Sequence, residues 1–113
     1  MSGITTHVLD TMRGLPASGV PYAFDIKDDA GGWRAAGRGA TDADGRAKLL
    51  APESLVPAGV YRLTFDTGAY FRARNVEGFY PEVVVVFEVR QASQHHHVPL
   101  LLAPYGYSTY RGT

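Results

Sequence analysis

The chain has 113 residues, with 11 Lys+Arg balanced by 11 Asp+Glu, 45% hydrophobic residues and no cysteine. This composition excludes a disordered chain, a basic nucleic-acid binder and disulfide or thiolate chemistry. No run approaches the roughly 20 apolar residues of a membrane span, and the N-terminus lacks the apolar core of a signal peptide. The expectation is therefore one soluble, cytoplasmic domain over residues 1–113.

The periodicity is that of strands. Ile4-Thr5-Thr6-His7-Val8-Leu9-Asp10 places His7 on the Thr5 and Leu9 side, opposite Ile4, Thr6 and Val8. Over residues 20–28, Val20, Tyr22, Phe24 and Ile26 alternate with Pro21, Ala23, Asp25 and Lys27, so one face is buried. Residues 33–40 and 46–50 flank Asp42-Ala43-Asp44-Gly45, whose Asp-Gly pair supplies the positive φ that a tight hairpin needs. Tyr61, Leu63 and Phe65 alternate with Arg62, Thr64 and Asp66. Residues 67–74, with Ala69, Tyr70, Phe71 and Ala73, lack alternation and predict a short helix.

Val83-Val84-Val85-Val86-Phe87 is a continuous β-branched run, which predicts a strand covered on both faces. Val98-Pro99-Leu100-Leu101-Leu102 forms an apolar run, and Ala103-Pro104-Tyr105-Gly106 is a turn between it and the tail. Pro16, Pro52, Pro57 and Pro104 punctuate the strands at short spacing. About eight short strands and one helix read as an all-β sandwich.

Histidine titrates near 6.5, which suits general acid and base work. Besides His7, the chain carries His95-His96-His97. On a strand His95 and His97 share a face, while His96 joins Val98, Leu100 and Leu102 on the other. Two imidazoles on one strand face with a third from elsewhere match the ligand count of a catalytic zinc site. Such pairs also recur in many sheets without a metal. A calcium loop at Asp42-Ala43-Asp44-Gly45 fails, because Ala40 and Ala51 stand where ligands would be needed. Arg46 begins a strand directly after the turn, as a surface charge or as a rigidly anchored planar fork for an anionic or carbonyl-rich substrate.

Three motifs carry a resemblance. They are the opening Ile4 to Asp10 segment, the Thr41-Asp42-Ala43-Asp44-Gly45-Arg46 turn, and the run from His95 through Val98-Pro99-Leu100 to Tyr105-Gly106-Tyr107-Ser108-Thr109-Tyr110-Arg111-Gly112-Thr113. Together they resemble the 5-hydroxyisourate hydrolases, the enzyme branch of the transthyretin-like proteins, from residue 4 to the end. Thr113 stands where that family usually has Ser, and His96 where an aromatic is common.

The resemblance implies a transthyretin-like sandwich of two four-stranded sheets with one short helix. It implies hydrolysis of 5-hydroxyisourate to 2-oxo-4-hydroxy-4-carboxy-5-ureidoimidazoline, in urate degradation. His7 and His97 fall at positions of catalytic histidines and Arg46 at that of the catalytic arginine. Tyr110, Arg111, Gly112 and Thr113, with a terminal carboxylate, would shape the pocket and hold substrate. No metal and no cofactor are implied. The partners implied are the small-molecule substrate and three further copies, as a dimer of dimers with sites in the channel between the dimers. The alternative is a transthyretin-type carrier that binds a flat aromatic ligand in that channel without catalysis.

Overall fold

The computed structural model describes residues 3–51 and 56–113; Pro52, one of the punctuating prolines, lies outside them. The described residues form strands β1 (Ile4–Asp10), β2 (Leu15–Pro16), β3 (Pro21–Lys27), β4 (Trp33–Ala40), β5 (Arg46–Leu50) and β6 (Gly59–Phe65). Helix α1 (Thr67–Arg72) follows, then β7 (Val83–Val89), β8 (His96–Ala103) and β9 (Gly106–Thr109).

One sheet has the order β4-β3-β6-β7. The other is centred on β1, which runs parallel to β8 along one edge, while β8 pairs antiparallel with β9. Along its other edge β1 pairs first with β5, through Ile4 to His7, and then with the two-residue β2, through Leu9 and Asp10. Four strand positions are thus filled by five strands, because β5 and β2 share one edge of β1. The fold is an all-β sandwich with one short helix.

The alternation read from the sequence fills the space between the sheets. Ile4, Val8, Val98, Leu100 and Leu102 point inward from one sheet, and Phe24, Tyr61, Leu63, Phe65 and Val83 from the other. Phe24 stacks on Tyr61 with centroids 5.5 Å apart, and Tyr61 on Phe87 at 5.7 Å. The buried Tyr61 hydroxyl donates to the Pro57 carbonyl at 2.6 Å, so its polar end is satisfied. Asp66 caps α1 by accepting from the Ala69 amide at 3.0 Å. The helix is pinned to β1 because the buried Tyr70 hydroxyl donates to the buried Asp10 carboxylate at 2.7 Å.

Two expectations need correction. The valine run is not covered on both faces: Val84 and Val86 are 42% and 55% exposed, whereas Val83, Val85 and Val89 are buried. β7 is an edge strand with one face on the core, and its outward valines reflect β propensity, not burial. Nor does the Asp42–Gly45 turn close a hairpin. β4 pairs with β3 in one sheet, and β5 with β1 in the other, so the turn carries the chain between sheets. Gly45 has φ 75°, as the Asp-Gly signal requires. It is also pressed against β1, where the Val8 amide donates to the Gly45 carbonyl at 2.7 Å and a Cβ would strike the Val8 carbonyl oxygen.

Candidate active site

The site lies on the face of the β1-centred sheet that points away from the core. In β1 the buried side chains are Ile4, Thr6, Val8 and Asp10, leaving Thr5, His7 and Leu9 on the outer face. Residues directly opposite on neighbouring strands share a face. Thr5 is opposite Lys48 of β5 on one side and His97 of β8 on the other; His7 is opposite Arg46 and Pro99. Register alone therefore gathers two imidazoles, a guanidinium, an ammonium and a hydroxyl on one surface.

A cavity of about 370 Å³ opens on this surface, lined by Thr5, Arg46, Lys48, His95, His97 and Thr113. Asp42 also borders it. Its Oδ1 accepts from the amides of Asp44 and Arg46, both at 2.9 Å, which locks the start of β5 and hence the anchor of Arg46. The bond from the Arg46 amide is the largest influence lowering the Asp42 pKa. The Asp44 amide and the charges of Arg46 and His7 act in the same direction against desolvation.

His97 is held on two edges of its ring. Its Nδ1 lies 2.8 Å from Thr5 Oγ1, and the same oxygen lies 2.9 Å from His95 Nε2. On the other edge, a Cβ at Gly112 would sit 2.7 Å from His97 Cδ2, so only glycine fits. The Gly112 amide donates to the His97 carbonyl at 2.8 Å, which fixes the tail beside β8. Burial pushes the His97 pKa below the ordinary histidine value, and the nearby His7, Arg46 and His95 push it further. A neutral imidazole is what a general base requires. Among the described residues, no three His, Cys, Asp or Glu side chains converge as metal ligands.

The structure brings His97, Arg46 and Thr113 into one cavity and places His7 opposite Arg46 across the β1–β5 pair. Gly112 packs on His97. Tyr110 and Arg111 line a different cavity of about 210 Å³, with Val85, Phe87, His96 and Val98, between the sheet edges. Arg111 Nη2 donates to Gln94 Oε1 at 3.0 Å, tying the tail to the segment that leads into β8. His96 is buried on the inner face, with Nδ1 3.0 Å from the Gln94 carbonyl. Burial, followed by Arg111 and His95, lowers its pKa. Sequence reasoning missed Thr5, Asp42 and Lys48 as site residues and left His95 without a role. Lys48 could have been found from its i, i+2 spacing to Arg46, but Thr5 is an ordinary strand residue.

Residues 4–112 match the model of the HIUase/Transthyretin family. The chain belongs to that family. It is 48% identical over 118 residues to the 5-hydroxyisourate hydrolase of Caulobacter vibrioides, covering all of both chains. Among solved structures, the 5-hydroxyisourate hydrolase of Klebsiella pneumoniae superposes with a TM-score of 0.85 at 34% identity, again covering all of both chains. Sea bream transthyretin in complex with thyroxine superposes with a TM-score of 0.90 at 35% identity, covering 98% of this chain and 95% of that one. A hydrolase and a thyroxine-bound transthyretin thus share this family's fold, and the contents of the site must separate them. Among the described residues, no helix is long and apolar enough to cross a membrane.

Proposed function

We propose that this chain hydrolyses 5-hydroxyisourate to 2-oxo-4-hydroxy-4-carboxy-5-ureidoimidazoline, in the cytoplasm, as a step of urate degradation. The observation that carries the reading is the cavity shared by Arg46 and a His97 biased toward its neutral form. Its volume of about 370 Å³ suits a flat bicyclic substrate. Water attacks a ring carbonyl and the adjacent C–N bond breaks. The reaction needs a base for the water, a cation for the developing oxyanion and a proton for the leaving nitrogen. His7 and His97 are the acid and base pair, and Arg46 orients the substrate and stabilises the charge. Tyr110, Arg111, Gly112 and Thr113 form the substrate-holding tail, in which Gly112 and Thr113 shape the pocket and Arg111 ties the tail to Gln94. These groups supply the chemistry without a metal, so exhaustive dialysis against EDTA leaves turnover intact.

The carrier reading draws support from the similarity to sea bream transthyretin. The cationic and imidazole lining favours catalysis instead, because an apolar ligand gains nothing from desolvating those groups. The relatives named as 5-hydroxyisourate hydrolases, at 43% identity for the mouse protein and 48% for the Caulobacter protein, support the same reading. The deciding experiment generates 5-hydroxyisourate from urate in situ and follows its decay spectrophotometrically. Acceleration by catalytic amounts of protein supports hydrolysis; unaltered decay with stoichiometric ligand binding returns the carrier.

We further propose a homotetramer, a dimer of dimers. Apposition of two faces bearing His7, Arg46, Lys48 and His97 would enclose the substrate and exclude water from it. The outward Val84, Val86 and Tyr107 on the edge strands β7 and β9 are 42%, 55% and 42% exposed, which supports association through those edges. Sedimentation equilibrium tests the assembly: a monomer at working concentration would overturn it.

A further inference from the structure

Thr5 Oγ1 is within hydrogen-bond distance of two imidazole nitrogens at once, His97 Nδ1 at 2.8 Å and His95 Nε2 at 2.9 Å. A hydroxyl has one proton to donate. Its oxygen can also accept through two lone pairs, so both contacts are satisfied when at least one of the two ring nitrogens carries a proton. When both are protonated, Thr5 accepts from each. When one nitrogen alone is protonated, the three residues form a directional chain with two possible senses. In one, His97 Nδ1–H donates to Thr5 and Thr5 donates to His95 Nε2. In the other, His95 Nε2–H donates to Thr5 and Thr5 donates to His97 Nδ1.

We propose that Thr5 is a positioning residue that holds His97 in its Nδ1–H tautomer, with His95 Nε2 accepting from the Thr5 hydroxyl. This rests on the hydrolase reading of the site. In this sense His97 Nε2 keeps its lone pair and is available to take a proton from water. Nδ1 remains a donor to Thr5 both before and after Nε2 is protonated, so no hydrogen bond has to reverse as the imidazolium forms. The opposite sense would place a proton on Nε2 and leave no lone pair for base catalysis.

The geometry around the ring supports the same assignment. Thr5 holds the Nδ1 edge and Gly112 lies beside Cδ2, so the tail limits the room available to the ring. Thr5 is itself fixed by its register against Lys48 and His97 on the central strand of the sheet. A rigid strand is a better support for a tautomer-selecting hydroxyl than a loop. The neighbouring Thr6 does not share this role, since its hydroxyl is buried and donates to the Val98 carbonyl at 2.6 Å.

The test compares wild type with Thr5→Val, which keeps the β-branched shape and deletes the hydroxyl, and with Thr5→Ser, which restores the hydroxyl. Ring-nitrogen NMR of 15N-histidine-labelled protein, at a pH where His97 is neutral, reads the tautomers directly. Wild type and Thr5→Ser are expected to show His97 protonated at Nδ1, with His95 Nε2 unprotonated. Thr5→Val is expected to lose that preference. kcat should fall about 10–100-fold in Thr5→Val, the size of effect seen when a partner fixing a metal-bound histidine is lost, and recover in Thr5→Ser.

Wild-type His97 protonated at Nε2, or a Thr5→Val protein with unchanged ring signals and wild-type kcat, overturns the proposal. So does a folded Thr5→Ser protein that restores neither signal nor rate. Failure of the functional reading looks different, because wild type itself would then not accelerate 5-hydroxyisourate decay, while the tautomer spectra would still report on Thr5.

Discussion

Gly112 lies directly against the imidazole of His97, donating its amide to the His97 carbonyl at 2.8 Å and leaving no room for a side chain of its own. The tail is thus one wall of the site. Gly112→Ala would place a methyl 2.7 Å from His97 Cδ2, so either the ring or the tail must move. We expect kcat/KM to fall about 100-fold, the scale of a 1 Å misplacement of a reacting group. The thermal midpoint should barely change, because residue 112 lies outside the core. Wild-type kinetics in this variant would show that His97 does not need its present orientation.

Removing residues 110–113 takes away the Gly112 bridge to His97 and the Arg111 bond to Gln94, but no buried core residue. The truncated protein is expected to fold and assemble as wild type and to lose most hydrolase activity. Circular dichroism, sedimentation and kcat/KM together decide it. A fully active truncated protein would reduce the site to His7, Arg46 and His97.

His7→Asn and His97→Asn each remove a proposed proton-transfer group and should cost about 10²–10⁴-fold in kcat. Arg46→Lys keeps the charge but loses the planar fork, and should also be severe. Steady-state kinetics on folded variants is the measurement. A variant retaining wild-type kcat acquits its residue.

The His96 and His97 pKa values both lie below the ordinary 6.5 in the folded protein. The base form of His97 therefore persists below that value, and the acid limb of kcat/KM should fall at a pH under about 6.5. Stability follows the same shift. Between the folded and unfolded pKa values the unfolded chain binds more protons, so stability rises with pH and is lost as pH drops below about 6.5. Urea midpoints across that range should show the loss, and His96→Phe should flatten it by removing one of the two shifted groups. An equal slope in that variant would leave His96 out of the effect.

Tyr70→Phe deletes the hydroxyl that donates to Asp10 at 2.7 Å, leaving the buried carboxylate with the Arg13 amide at 3.1 Å. A hydrogen bond to a charged group contributes about 1.5–3 kcal/mol, and a loss of that size is expected in urea denaturation. A change under about 0.5 kcal/mol would mean that water replaces the hydroxyl at no cost.

The amino-acid sequence determined the strands, because a residue's face on a strand depends only on parity. The alternation through Tyr61, Leu63 and Phe65 and the placement of His7 opposite Val8 both follow from that rule, and both hold in the structure. The positive φ of Gly45 is equally local. Pairing is different. An Asp-Gly turn reverses or redirects the chain without specifying which sheet receives the next strand, so the passage of β5 to β1 was not readable from residues 42–45. The valine run carried β propensity but no record of the neighbour missing from the edge of the sheet. Thr5 shows the limit most clearly. A threonine in a strand is unremarked by any local pattern, and it joins His97 only because parallel pairing of β1 with β8 closes a separation of 92 positions along the chain. Chemistry-bearing side chains were visible one at a time; their contacts were decided by tertiary register, which is set by how the whole core packs.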